Sequence, residues 1–422
     1  MDNFSSRIKG FHNLSFEEKL AKVKKLRGLT DEEVATLKAE NPPYELFDRM
    51  IENNIGIMQI PIGVATNFIV DGKEVLIPMA VEESSVVAAA SNLAKMTRKH
   101  GGFRTSNTGS IMIGQIQILD LDTPYYAAQK LQIEKQKILQ LANDQDPILV
   151  KFGGGAIDLE TRVIDSVVGE MLVAHLIVNA LDAMGANAVN TMAEAVAPLI
   201  EEITGGRVRL RILSNLADRR IVRASAVFDK EMLGGEEVVY GIIEAWAFAE
   251  ADPYRAATHN KGIMNAISAI TVATANDWRA IEAGAHSYAS QMGYYTSLTK
   301  YEINDDGNLV GTIELPLALG IIGGASRIHP TAQVNLKIMG IEKAQELAAI
   351  VASAGLAQNA AALRALASEG IQKGHMKLHA RNVAAQAGAE GDEVDEVAKR
   401  MISEGKVRAD RAEAILKELR GN

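Results

Sequence analysis

A chain of 422 residues is longer than one ordinary hydrophobic core supports, so two or three domains are expected. A net charge of -9 argues against nonspecific nucleic-acid binding, and zero cysteines exclude disulfides, thiolate metal sites and a cysteine nucleophile. With 47% hydrophobic and 23% charged residues the composition is globular, and no apolar run, Met171 to Val178 included, approaches the ~20 residues of a membrane helix. Met1-Asp2-Asn3-Phe4 opens without a basic stretch leading into an apolar one, which sets the expectation of a cytoplasmic protein with neither membrane nor nucleic acid as partner.

Two capping-box patterns, Ser15 to Glu18 and Thr30 to Glu33, predict helix starts. A strand over Glu74 to Met79 leads to Glu82-Glu83-Ser84-Ser85 and an Ala-rich helix from Val86 to His100, with Ser84 and Ser85 as candidate caps and Gly101-Gly102 as its stop. The alternation of Ile113, Gln115, Gln117 and Leu119 predicts a strand, Ala127 to Ala142 a helix and Met171 to Ala180 a second strand. Asp182-Ala183-Met184-Gly185-Ala186-Asn187 opens a helix to about Ile203, and Val208 to Leu213 is a third strand. This β-α-β-α-β order predicts a small α+β unit inserted in a larger domain. Helix then dominates from Val238 to Ala251 and from Ile341 onward, with a polar hairpin at Asn304 to Asn308 and a charged helical tail after Gly374.

Several positions carry candidate chemistry. Lys261 and Asp277, sixteen residues apart in an Ala- and Ile-rich stretch, suggest a buried cation meeting a buried carboxylate, or else two unrelated exposed charges. Glu83, just ahead of its helix, is either a helix-dipole partner or a desolvated acid that delivers a proton near neutrality. The strand-to-helix turn at Asp182 to Asn187 suits a diphosphate at a helix N-terminus, although an ordinary turn reads the same, and no Gly-x-Gly-x-x-Gly fingerprint points to a Rossmann domain. His375 and His379 stand one helical turn apart without the glutamate of a zinc-protease motif, so they are solvent-facing or carry an acid on a mobile helix. Gly153 to Gly155 and Gly323-Gly324 read as flexible loops.

These segments, with Glu52 to Gly56, Asp252 to Asn265, Asn276 to Ala285, Leu356 to Asn359 and Gly374 to Arg381, follow in order over nearly the full length. In them the chain resembles the class II 3-hydroxy-3-methylglutaryl-CoA (HMG-CoA) reductases. The resemblance implies an α+β fold: a large, mainly helical substrate domain (residues 1–109 and 216–370), an inserted ferredoxin-like dinucleotide-binding domain (110–215) and a C-terminal helical flap (371–422). It implies reduction of HMG-CoA to mevalonate and CoA in two hydride transfers, or the reverse oxidation, in a homodimer or an assembly of dimers. By motif, Lys261 stabilises the oxyanion, Glu83 donates the proton, Asp277 holds and tunes both, and His375 protonates the departing thiolate. Ser85, Arg255 and Asn265 contact the hydroxymethylglutaryl part, with Arg255 on its carboxylate. Met184, Gly185, Asn187 and Asn215 contact the dinucleotide. Asp146 faces the adenosine ribose, which favours NADH, with NADPH the alternative. His12 replaces an arginine that contacts CoA in some members, and Ala275 a common glycine, a strain of ~1 kcal/mol if its φ is positive. A non-catalytic CoA-ester or nucleotide binding protein and a CoA thioesterase are the alternatives from other classes.

Overall fold

Ten strands form among residues 4–40, 42–368 and 380–421, which are those described by the computed structural model. They are β1 (Ile62–Val70), β2 (Lys73–Ala80), β3 (Phe103–Asn107), β4 (Ile111–Leu119), β5 (Gly155–Ile164), β6 (Met171–Asn179), β7 (Arg207–Leu213), β8 (Ile221–Phe228), β9 (Thr299–Ile303) and β10 (Leu309–Pro316). Two sheets result. One has the order β2-β1-β3-β8-β10-β9 and the other β5-β6-β4-β7. The fold is α+β, with helix the commoner element.

The smaller sheet is antiparallel throughout, and in chain order it reads β4, helices, β5, β6, helix, β7, the ferredoxin-like split β-α-β arrangement. Its topology corrects the shorter β-α-β-α-β expectation by a whole strand, β5, which follows directly on the glycine run: Gly153 and Gly154 are loop, as expected. Gly155 begins that strand, and a Cβ on Gly154 would sit 2.7 Å from the Asn179 carbonyl. The expected helix over Ala127 to Ala142 is two helices, Pro124–Ile133 and Lys135–Asn143, broken at Glu134. Gly324, read as loop, opens the short helix Gly324–Ile328.

The larger sheet is covered by helices Val86–Thr97, Pro253–Ala273 and Ala344–Ala367. The last has the length and mean hydropathy (1.3) of a membrane span, which a count of unbroken apolar runs overlooks, yet 89% of that window is buried inside the fold. It is the central core helix. Its Gly355 lets the Pro253–Ala273 helix pack closely: a Cβ there would meet Ile267 at 2.9 Å. That helix starts as its sequence dictates, with Pro253 at the first turn and Asp252 accepting from the Tyr254 and Arg255 N–H groups. It buries Ala256, His259, Asn260, Ile263, Met264 and Ile267, which leaves the opposite face for the site. At the C-terminal end, helices Asp392–Ser403 and Ala409–Arg420 close a separate small core with Ala380, Val383 and Ala384.

Candidate active site

Positions three and four apart share a helix face, so Arg255, Thr258, Lys261, Gly262 and Asn265 line one wall of a cleft of about 1950 Å³. Glu83 and Ser85 stand on the opposing wall, at the start of the Val86–Thr97 helix. Lys261 Nζ lies 2.9 Å from Glu83 Oε2. The expected partner of Lys261 was a buried Asp277. Instead the lysine side chain is 62% exposed, pairs with Glu83, and makes no hydrogen bond or ion pair to Asp277 among the described residues. Asp277 caps the next helix, Trp278–Tyr288, accepting from the Arg279 and Ala280 N–H groups at 3.1 Å each. Lys261 is about twelve residues from the end of its own helix, roughly 18 Å along the axis.

Ser85 is also corrected. It forms no side-chain cap and holds φ 76, a left-handed conformation that costs a non-glycine residue ~1–2 kcal/mol. Such strain concentrates at functional positions. Arg255 is half-buried, its guanidinium pKa lowered by that burial, and no carboxylate pairs with it among the described residues. A free carboxylate in the cleft would satisfy it. The same cleft is also lined by Arg7, Lys9, His12, Lys19 and Lys95.

Beneath the Lys261 face lies a polar layer that sequence reasoning did not single out. His259 Nε2 sits 2.8 Å from Thr299 Oγ1 and 2.9 Å from Ser297 Oγ. Both hydroxyl protons have carbonyl acceptors, Asn359 Oδ1 and Thr299 O, so the imidazole is assigned as the Nε2–H tautomer. Burial, seconded by the Arg255 charge, lowers its pKa to about 3 and keeps it neutral. Tyr301, fully buried, also donates to Asn359, at 2.8 Å.

Met184, Gly185 and Asn187 lie where the sequence places them, at the start of the Ala186–Thr204 helix. Gly185 is indispensable there: its φ is 104 and a Cβ would meet Ala180 at 2.8 Å. The N–H groups of Gly185 to Ala188 have no partner among the described residues, as a diphosphate acceptor requires. Asn215 is exposed on the segment after β7, and Asp146 caps the short helix Pro147–Lys151, accepting from Leu149 N–H at 2.9 Å. His375 lies outside the described residues, as does His379.

An α+β chain with an inserted split β-α-β sheet and a lysine–glutamate pair in a large cleft is built for acid–base chemistry on a sizeable ligand. Residues 15–380 match the family model of hydroxymethylglutaryl-coenzyme A reductase, and the chain belongs to that family of oxidoreductases. It is 60% identical over 416 residues to the 3-hydroxy-3-methylglutaryl-coenzyme A reductase of Archaeoglobus fulgidus, covering 99% of this chain and 95% of the relative. The solved structure of the Streptococcus pneumoniae reductase superposes with a TM-score of 0.83 at 41% identity, covering 97% of this chain and 99% of that one. A structure of the class II S. pneumoniae enzyme bound to NADPH in open conformations gives 0.82 at 40% identity, over 85% of this chain and 99% of that one.

Proposed function

We propose that this chain reduces HMG-CoA to mevalonate and CoA, or runs the reverse oxidation, with NADH favoured over NADPH. The observation that carries the reading is the Lys261–Glu83 pair, 2.9 Å apart in a cleft also lined by the Arg255 guanidinium and by Lys9, Lys19 and Lys95. Lys261 holds the oxyanion that forms when the thioester carbonyl is reduced. A fixed cation does this best where water is scarce. Glu83 passes its proton to the same oxygen. Arg255 takes the substrate carboxylate, with Ser85 and Asn265 against the hydroxymethyl part. Lys9, Lys19 and Lys95 meet the CoA phosphates, in the cleft that His12 also lines. His375 protonates the departing thiolate.

The dinucleotide supplies the hydride. Met184, Gly185, Asn187 and Asn215 hold it in the inserted domain (residues 110–215), with residues 1–109 and 216–370 as the substrate domain and 371–422 as the flap. Asp146 sets the preference: a carboxylate accepts from a ribose 2′-hydroxyl and repels a 2′-phosphate. Asp146→Ala should narrow the ratio of NADH to NADPH efficiency, and an unchanged ratio moves that role elsewhere.

Asp277 completes the site from a second copy. Among the described residues it makes no hydrogen bond or ion pair to its own chain's Lys261, and Ile55 and Met58 are 104% and 89% exposed in a run that also bares Ile51, Ile60 and Ile62. Apolar exposure of that extent marks an interface. The deciding experiment follows NADH and free thiol together after adding HMG-CoA. Because the chain has no cysteine, all thiol is released CoA. About two NADH per CoA, the stoichiometry of a four-electron reduction, supports the reductase. Thiol without NADH loss makes it a hydrolase, and no signal with either dinucleotide in either the reductive or the oxidative direction leaves a binding protein.

A further inference from the structure

Arg220 is 4% exposed, between β7 and β8, and it spends its guanidinium on backbone alone. Nη1 donates to the carbonyls of Ala183 (3.0 Å) and Met184 (3.1 Å), and Nη2 to the carbonyl of Leu319. No carboxylate pairs with it among the described residues. Asp182, which acts on it through space, accepts through Oδ1 from the Ala344 N–H at 2.8 Å. Burial pushes the guanidinium pKa down to about 10, so it remains charged at neutrality. A buried cation held only by carbonyls is costly, and chains keep one where a position must be fixed.

The groups it holds are informative. In a trans peptide the C=O and the following N–H point in opposite directions. Turning the Met184 carbonyl onto Arg220 therefore turns the Gly185 N–H away from it, and that N–H is the first of the unpaired series Gly185 to Ala188. On the other side, Leu319 leads to Gly320, whose N–H donates to Asn276 Oδ1 at 2.8 Å. Gly320 also carries no Cβ, which would lie 2.4 Å from Met184 N. Ile321 N–H bonds the Asp182 carbonyl at 3.0 Å, and Ala183 bridges Ile322. One guanidinium thus joins the Asp182–Asn187 loop to a segment that grips the residue next to Asp277.

We propose that Arg220 is a positioning residue for hydride transfer, fixing the dinucleotide loop relative to the same chain's Asp277, so that the two enter one assembled site together. The proposal rests on the reductase reading. Wild-type enzyme that consumes no NAD(P)H with HMG-CoA defeats that reading before any variant is made. Given wild-type turnover, Arg220→Lys keeps the charge but loses the fork that spans three carbonyls. Its dinucleotide KM should rise about tenfold, the ratio carried by one charge-assisted hydrogen bond, and its kcat should fall, while the HMG-CoA KM stays within about twofold. An unchanged dinucleotide KM, or both KM values rising together with a lower Tm, overturns the proposal. If Arg220→Lys does not fold, Gly320→Ala displaces the loop from the opposite side with the charge intact. A rise confined to the dinucleotide KM then supports the joint, and any other result overturns it.

Discussion

Lys261 and Asp277 stand on consecutive helices, and the chain treats them in opposite ways. Lys261 finds its carboxylate within the chain, at 2.9 Å across a cleft already equipped with Arg255 and Asn265. Asp277 is exposed and spent on its own helix N-terminus, with the Arg279 guanidinium 3.4 Å from its carboxylate. The difference separates residues that fold into place from residues that assemble into place. The first kind is complete when the core helix Ala344–Ala367 seats the Lys261 helix; on the proposed reading, the second is completed by another copy.

The half complete within the chain is the one to break first. Lys261→Ala should lower kcat by about 10²–10³, the loss typical of a removed oxyanion donor. Its stability should hardly change, because an ion pair this exposed contributes at most about 1 kcal/mol. Steady-state kinetics with a thermal melt check both. Retained turnover would free Lys261 of its role, and a collapsed melt would make it structural.

Mixing variants tests the half that assembles. Lys261→Ala and Asp277→Asn should each be nearly inactive alone. If sites form across a two-fold interface, each mixed dimer has one intact site, and random exchange restores about a quarter of wild-type activity. No recovery after confirmed subunit exchange means Asp277 serves its own chain.

A third test probes the layer under Lys261. His259 has a folded pKa near 3 against an ordinary 6.5, lowered by burial and by Arg255. Above pH 6.5 it is neutral in both states and contributes nothing to pH dependence. Below that, the unfolded chain takes a proton that the folded chain refuses, so stability falls by up to about 1.4 kcal/mol per pH unit until the folded pKa is reached. Urea unfolding between pH 7 and 4 should show that slope, and His259→Gln should reduce it. Equal slopes would mean the imidazole is protonated in the fold.

What the sequence reveals follows the same division. Lys261 is legible from its local context, Arg255 and Asn265 only through the family resemblance, and the Asp182–Asn187 turn because strand, glycine and helix come in order. Strand β5 is hidden because a bulge between Ala156 and Asp158 breaks its alternation and charged residues occupy it. Arg219 and Arg220 are chemically identical neighbours, yet Arg219 forms a half-exposed bidentate pair with Glu160 and Arg220 is buried among carbonyls. Nothing local separates them, since burial at that position is set by the Leu317–Ile322 segment a hundred residues on. The Lys261–Glu83 pairing is long-range in the same way, which is why proximity in sequence suggested Asp277.

The smallest effect bears on the same comparison, because it concerns the turn that delivers Asp277. Ala275 holds φ 50, the left-handed region expected of the glycine that is common there in the family. The turn keeps this strain because Asn276, next along, is fixed by Gly320 N–H at 2.8 Å, and Ala275 N–H bonds the Val272 carbonyl at 3.0 Å. Ala275→Gly relieves the Cβ clash but gives the unfolded chain more freedom, so the two effects oppose each other. At a positive φ the relief prevails, and a gain of about 1 kcal/mol is expected in urea unfolding. Turnover should be unchanged if the Asn276–Gly320 bond alone aims Asp277. A gain in kcat with the gain in stability would show instead that the alanine holds Asp277 out of line, and that the assembled half of the site works below its geometric optimum.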